Sequence, residues 1–465
     1  MPMTAQETLI LEMINRARLD PDGEAARLGI SLNEGLAPGT ISSASKQPLA
    51  PSAKLVSSAR GHSAFMLSVD KFAHEGIGDG TPASRMTNAG YVFSGSWARG
   101  ENIAFNGTTA AVDETSYAIK NENNLFVDSG IAGRGHRLAL MNDTYSEIGV
   151  GESVGVYTSG GVNYNAVMLT QDFAKSGTNV FVTGVAINDA NANNFYDVGE
   201  GRGNIAITVK SGATLLGSGL SEAAGSYVAS LAAPSSGPVN VCFSGGGLAS
   251  SVNVSLANVT QNVKVDLVDN GKIISSATST AMGMGCFKLA LLGNFDSQGW
   301  GNNANNIMTG SKGNNLLNGG GGDDYLNGGA GNDTLNGAAG ADVMTGGAGN
   351  DIFRFTLASE SGPSATLRDK ITDFSKSGAM GIDRIEVLFM DAIAGTAANE
   401  AFSFLAAKGA AFTAAGQLHW FQQDLAGTAN DKTIIEGNVD ANLTTAEFQI
   451  ELTGLVSLAA TDFIL

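Results

Sequence analysis

Cysteine, proline and charge are all scarce in this chain of 465 residues. Only Cys242 and Cys286 occur, too few for a disulfide framework and without the spacing of a zinc site. Whether the two bridge depends on an approach of their Cα atoms to within about 7 Å, which sequence does not give. Charged residues make up 15% of the chain, against roughly 25% in ordinary soluble proteins. Within that small share Asp and Glu outnumber Lys and Arg, 44 to 26, for a net charge of −18. Nucleic acid and anionic membrane surfaces carry the same sign, so neither is an expected partner. No apolar run approaches the ~18 residues of a membrane span. The opening Met1-Pro2-Met3-Thr4-Ala5-Gln6-Glu7 has neither a basic n-region nor a long apolar h-region, so no cleavable secretory signal is expected. P-loop and H-E-x-x-H motifs are absent as well, and no nucleophile elbow of the G-x-S-x-G kind is expected. What the chain has in plenty is glycine, 62 residues of it, with 9 prolines. That balance points to turn-rich β structure, and the length to about three domains.

Internal repeats decide the architecture. From Gly301 to Arg354 the sequence falls into six consecutive nonapeptides of the form G-G-x-G-x-D-x-U-x. The sixth position holds Asn306, Asn315, Asp324, Asp333, Asp342 and Asp351, and the eighth holds Met308, Leu317, Leu326, Leu335, Met344 and Phe353. A flexible linker has no reason to keep register at both positions. The tract resembles the RTX repeat, which implies a calcium-binding parallel β-roll. Gly319, Gly322, Gly328, Gly331, Gly340 and Gly349 permit tight turns, while the eighth position points into a thin core. If each nonapeptide is half a coil, Asp324 stacks on Asp342 and Asp333 on Asp351. Carboxylates and turn carbonyls then make an oxygen cage for Ca²⁺. Without the ion the carboxylates repel, and the tract is expected to be disordered. The Asn-bearing first two repeats are expected to bind less tightly.

Beyond the repeats, residues 356–465 alternate as strands do: Phe448, Ile450 and Leu452 are interleaved with Gln449 and Glu451. The segments ITDFSKSGAMGIDRI, AFSFLAAKGAAFTAAGQLHW and FQIELTGLVSLAATDFIL resemble the C-terminal domain of serralysin-type proteins. That resemblance implies export by type I secretion machinery, with Asp462-Phe463-Ile464-Leu465 as the terminal signal. The expected location is extracellular, where calcium is plentiful and acts as the folding switch.

The first 176 residues are the most helical. Thr4-x-x-Glu7 reads as a capping box, followed by a stripe of Leu9, Ile10, Met13, Ile14 and Ala17. Further helices are predicted over 52–69 and 108–122. The elements MINRARLDP, ARGHSAFML, FAHEG, RMTNAGY, GENIAFNG, GRGHRLALMN and EIGVG resemble, in that order, a bacterial CAP (SCP-like) domain. The resemblance implies an α-β-α sandwich whose cleft holds two His and two acidic residues, here His74, Glu101 and His136. The family's second Glu aligns with Ala118, and Glu114 or Glu122, one turn to either side, can substitute. Such residues can bind zinc, serve as a general acid/base set, or simply hold a polar cleft together by hydrogen bonds. His62, on an otherwise apolar face, reads as a core residue, and His419 as structural.

Residues 179–292 alternate like a β-sandwich, with strands in VFVTGVAI, IAITV, SYVASLAA, GPVNVCFS and VKVDLV. Near the start lies a twelve-residue D-x-[DN]-x-[DN] loop in which Asp189, Asn191, Asn193, Asp197 and Glu200 supply side chains and Phe195 a carbonyl to Ca²⁺. No helices flank it. The segment resembles the calcium loops of repeat modules in bacterial surface adhesins.

The expectation is thus a multidomain α+β chain. A CAP-like α-β-α sandwich (1–176) precedes a β-sandwich (179–292), a parallel β-roll (293–355) and a β-rich secretion module (356–465). Three functions fit: a secreted calcium-dependent protein whose head binds an extracellular lipid, glycan or protein; a secreted hydrolase using the cleft; or an adhesive matrix component.

Overall fold

The computed structural model describes residues 2–76, 78–378, 381–395, 399–424 and 431–465. Ala379 and Met380 of the ITDFSKSGAMGIDRI segment lie outside them. The protein is mixed α/β and forms two compact units, Met1–Gly271 and Lys272–Leu465.

The first unit opens with α1 (Ala5–Leu19), where Thr4 and Glu7 close the expected capping box. There follow α2 (Pro21–Arg27), α3 (Ala53–Ser68), α4 (Pro82–Asn88), α5 (Glu114–Val127) and α6 (Gly135–Leu140). Helix α5 starts later than the predicted 108. Thr108 still belongs to the strand Trp97–Thr108, and the helix begins where Asp113 accepts the Ser116 N–H at 3.3 Å. It ends on Asp128, which sits in the left-handed region at φ 52°. The four-stranded sheet runs Ala50–Pro51, Glu147–Ser159, Val162–Ser176, Trp97–Thr108, leaving the last as an edge.

Period-2 alternation on the strand Val162–Ser176 explains the layers. Leu169 and Phe173 join Ile10 and Ile14 of α1 and Leu125 and Phe126 of α5. On the other face Met168 meets Met66 of α3, and Ala174 meets Leu55 of α3 and Met86 of α4. This is the α-β-α arrangement that the helical stripes implied.

In the same unit, Val180–Ile187 pairs antiparallel with Ser226–Leu231 and parallel with Val263–Val268. A second layer holds Thr214–Leu220, Ile205–Ser211, Val239–Gly245 and Val252–Leu256. The rings of Tyr227 and Phe243 meet between the layers, 5.7 Å apart. This sandwich is bonded to the head through buried polar groups. Asn262 Nδ2 donates to the carbonyls of Pro48 (2.9 Å) and Ser146 (2.6 Å). The Lys264 ammonium lies between Glu12 of α1, at 2.8 Å, and Asp266. Burial raises the Glu12 carboxyl to about 7 even with that lysine beside it.

The second unit is built on a stack of parallel strands in two sheets, and one sheet adds the antiparallel strands Gln417–Gln423 and Lys432–Asn438 beside Phe448–Thr453. One inner column runs Leu289, Met308, Leu326, Met344, Ile371, Leu452, and the other Leu317, Leu335, Phe353, Ile385, Phe463, all buried. Parallel register already begins at Ile273, which pairs with Lys288, ahead of the 293 read from composition. It also continues past 355 without a break, because residues of the C-terminal module extend both columns. Cys242 and Cys286 are both free thiols.

Removing the Lys264 charge leaves two carboxylates buried without a cation. Lys264→Met is therefore expected to cost about 3–5 kcal/mol of unfolding free energy, measured by urea denaturation of the calcium-loaded chain.

Candidate functional site

In the β-roll the eighteen-residue spacing places each aspartate one coil away from its equivalent. Asp324 Oδ1 accepts the Asn306 N–H at 2.6 Å, and Asp342 Oδ1 accepts the Asp324 N–H at 2.7 Å. On the other edge Asp333 Oδ1 takes the Asn315 N–H and Asp351 Oδ1 the Asp333 N–H, at 2.7 and 2.8 Å. One oxygen of every carboxylate thus clamps the neighbouring coil. The other, Oδ2 of Asp324, Asp333, Asp342 and Asp351, is buried with no hydrogen-bond partner among the described residues. Buried acceptors without donors are costly. A Cβ on Gly319, Gly328, Gly337 or Gly346 would collide with the Oδ2 of Asp324, Asp333, Asp342 or Asp351 respectively, so glycine keeps the space beside each oxygen clear. Stacked turn carbonyls line the same edges: Gly340 rests on the carbonyl of Gly322, and Gly349 on that of Gly331. Free carboxyl oxygens beside carbonyls suit Ca²⁺, a hard cation that takes six to eight oxygens.

Two further ligand candidates were not read from the sequence. Asp369 Oδ1 accepts the Asp342 N–H at 2.9 Å, and Asp383 Oδ1 accepts the Asp351 N–H at 3.0 Å, continuing both ladders. Asp369 Oδ2 is also buried and unpartnered, whereas Asp383 Oδ2 accepts the Ser375 N–H at 2.7 Å. The signal was available: Asp369-Lys370-Ile371 and Asp383-Arg384-Ile385 repeat the D-x-U spacing of Asp324-Tyr325-Leu326.

The loop of the first unit also closes as spaced. Asp189 accepts the backbone N–H of Asn193 (3.2 Å) and Asn194 (2.8 Å), and the side-chain amides of Asn191 and Asn193 both donate to Asp197 Oδ2. Glu200 accepts from Ala190 N at 2.8 Å and Asp197 N at 3.0 Å. Asn194 takes the left-handed φ of 55° that a glycine usually supplies at this point. The Phe195 ring lies under the Arg16 guanidinium of α1, 4.5 Å from centroid to Cζ.

The head divides what the sequence grouped. Alternation on Trp97–Thr108 sends Glu101, opposite Asp172, toward α3 and α4, and Asn102, opposite Gln171, toward α5 and α6. His74 Nδ1–H donates to Glu101 Oε1 at 2.9 Å, and Arg85 binds Glu101 Oε2. Arg85 also pairs with Asp79 at 3.3 Å, whose other neighbour is the buried His62, 2.5 Å from Nδ1. Burial pushes the Glu101 carboxyl up, but His74 and Arg85 outweigh it and hold the group below the usual carboxylate range. Asp172 beside it is driven well above that range by burial and by the Glu101 charge.

His136 does not join this group. Its Nδ1–H donates to Asp128 Oδ1 at 2.7 Å, in a separate pocket. Glu122 is buried among Gln171, Glu24, Arg16 and Arg27, and desolvation raises it to about 8; Glu114 is exposed. Among the described residues no three His, Cys, Asp or Glu side chains converge on a metal position. The cleft offers zinc two donors, and both Glu101 oxygens are already engaged. That set does not fit a zinc site, which takes three or four protein ligands. His419 is structural in its contacts, bonded to Glu436 at 2.7 Å.

Residues 11–173 match the Cysteine-rich secretory protein family, CAP. Residues 300–335 and 324–353 match the RTX calcium-binding nonapeptide repeat, in four copies. The chain carries a CAP domain and, further on, a calcium-binding RTX β-roll. Among solved structures it is similar to two subunits of the Azotobacter vinelandii mannuronan C5-epimerase. The AlgE6R3 subunit is 28% identical over 35% of this chain and 80% of that one, with a TM-score of 0.25. The AlgE6R2 subunit is 26% identical over 36% and 90%, with a TM-score of 0.26. An extracellular SCP-domain protein from Bacillus anthracis str. Ames is 23% identical, covering 28% of this chain and 35% of that one, with a TM-score of 0.21. No curated protein matches the chain.

The pH dependence of the calcium-free roll follows from its carboxylates. Burial raises Asp324 and Asp333 to about 7, Asp342 to about 6 and Asp369 to about 9. Folded values above unfolded ones mean that the folded roll holds protons more tightly. Their stabilising effect is complete below about pH 4 and is lost as pH rises through about 6 to 9. In chelator, the β-type circular dichroism of the roll should be retained near pH 4 and lost as pH rises to about 8, and calcium binding should release protons in the same range. A chelator spectrum independent of pH would contradict the burial of these groups.

Proposed function

We propose that this is an extracellular, calcium-organised protein: the roll and the module after it serve type I export and folding on arrival, and the CAP head binds a ligand or partner outside the cell. The observation that carries this reading is the row of buried Oδ2 atoms with no donor. In calcium-poor cytosol the aspartates repel and the thin column of Leu, Met and Phe cannot hold the coil together. Where calcium is abundant, binding to the folded form alone stabilises it by RT ln(1 + [L]/Kd). An export substrate needs that pair of states, unfolded on one side of the envelope and folded on the other.

Two features support the finer parts of the reading. The Asp189–Glu200 loop gathers five oxygen-bearing side chains at calcium-loop spacing, which favours a second class of calcium site in the first unit. The terminal segment has the acidic-plus-apolar character of an export signal, and Lys376 binds its Asp462 at 2.8 Å.

Exhaustive EDTA treatment of the full chain should lower β-type circular dichroism and open residues 300–390 to limited proteolysis, with recovery on adding Ca²⁺. A spectrum and digestion pattern unchanged by EDTA would refute the folding switch. Deleting Asp462–Leu465 should reduce the amount of protein in culture supernatant while leaving it in the cells; undiminished secretion would assign export to another segment.

A further inference from the structure

The head sheet ends on an unpaired edge. Trp97–Thr108 pairs with Val162–Ser176 in unbroken register, and among the described residues its backbone makes no backbone hydrogen bond on the other side. In an antiparallel pair every second residue turns its N–H and C=O away from the partner, so a row of donors and acceptors faces outward here. Proteins blunt such edges with charge, proline or a bulge. From Asn102 to Thr108 the strand has none of these. It is also recessed, with Asn102, Ile103 and Ala104 only 1%, 5% and 9% exposed. An open cavity of about 390 Å³ follows the edge along Ile103, Ala104, Phe105 and Asn106, four successive residues whose side chains leave the strand on both faces. The cavity therefore straddles the strand. On the face toward α3, Ile103 packs near Met66 and the Phe105 ring lies 4.9 Å from that of Phe72. On the face toward α5, Asn106 bonds Asn121, and Asn124 and Ser129 line the same space. A second cavity, of about 400 Å³, continues along Arg99, Gly100 and Glu101.

We infer that this edge takes up an extended peptide segment of a partner protein as a further strand of the head sheet, with apolar residues at every second position of the segment. The inference rests on the reading that the head binds a partner, and it names what that partner presents. An added strand continues the pleat, so its side chains fall into two rows. One row lies over Phe72, Ile103 and Phe105 and takes valine, isoleucine or leucine. The other lies over Asn106, Asn124 and Ser129 and takes small polar residues. Backbone bonds supply the affinity, and the two rows supply the selectivity. The recess chooses among occupants. The same strand of a second copy lies at the floor of its own furrow, so two folded edges do not meet, whereas one extended chain is narrow enough to enter. A net charge of −18 disfavours an acidic segment, so lysine or arginine suits its ends.

The test uses the full chain in saturating Ca²⁺ and a capped, fluorescein-labelled peptide of alternating valine and threonine with a lysine at each end. Fluorescence anisotropy should show saturable binding. In a strand the amides of alternate residues point the same way, so N-methylation of every valine and of every threonine are different tests. One of the two should weaken binding about 10-fold or more and the other should be tolerated, because only one set of donors faces the sheet. Hydrogen exchange read by mass spectrometry should slow at residues 100–107 when the peptide is added. That measurement needs no variant of the protein. No saturable binding, equal effects of the two methylation patterns, protection of a different segment, or a dimer whose copies already protect 100–107 would each overturn the inference. Phosphatidylcholine vesicles and a soluble neutral oligosaccharide, tested in parallel, separate this failure from that of the broader reading. If either binds the head while the peptide does not, strand addition falls and the binding head stands.

Discussion

A carboxyl oxygen buried with nothing to bond to is the constraint on which the roll depends. Each of the four aspartate-bearing repeats uses one carboxyl oxygen to clamp the preceding coil and leaves the other facing a glycine that cannot fill the space. Hydrophobic packing does not compensate, because the core is a single file of side chains on each sheet. The arrangement is tolerable with a proton on the acid or a divalent cation against it. Ionised and alone, it opposes the fold. Stability is therefore set by what the surrounding solution contains as much as by the sequence.

The same logic sets the limits of the stack. The ladder of Oδ1 clamps does not stop where the nonapeptides do. Asp369 and Asp383 extend it into residues whose glycine pattern has already lapsed, and Ile371, Ile385, Leu452 and Phe463 extend the apolar columns. Ladder and columns run through the unit, although composition divides it in three.

Much of this was legible in the sequence. Register at the sixth and eighth positions announced the stacking of Asp324 on Asp342, and alternating residues announced most strands of the sandwich. The order of head motifs announced the CAP domain. What stayed hidden has physical causes. Asp369 and Asp383 keep the D-x-U spacing without the glycines that draw attention to it. The separation of His74 from His136 arises because Glu101 and Asn102, adjacent in sequence, leave their strand on opposite faces. Motif order carries no such information, and neither does it name Asp128, eight residues before His136, as the partner that replaces Glu101. The late start of α5 depended on how far an edge strand persists, which is decided by its pairing with Asn165 and Ala166 rather than by local propensity.

The buried ammonium of Lys264 has a consequence for how such chains diversify. A head tethered by a loose peptide could be exchanged among tails like a bead on a string. Here α1 presents an acid whose counter-charge is encoded some 250 positions downstream, and Asn262 completes two carbonyls of the head. Recombination that delivered the first 176 residues alone would strand Glu12 in an apolar environment and bare a surface made to be covered. Inheritance is expected to treat head and sandwich as one cassette.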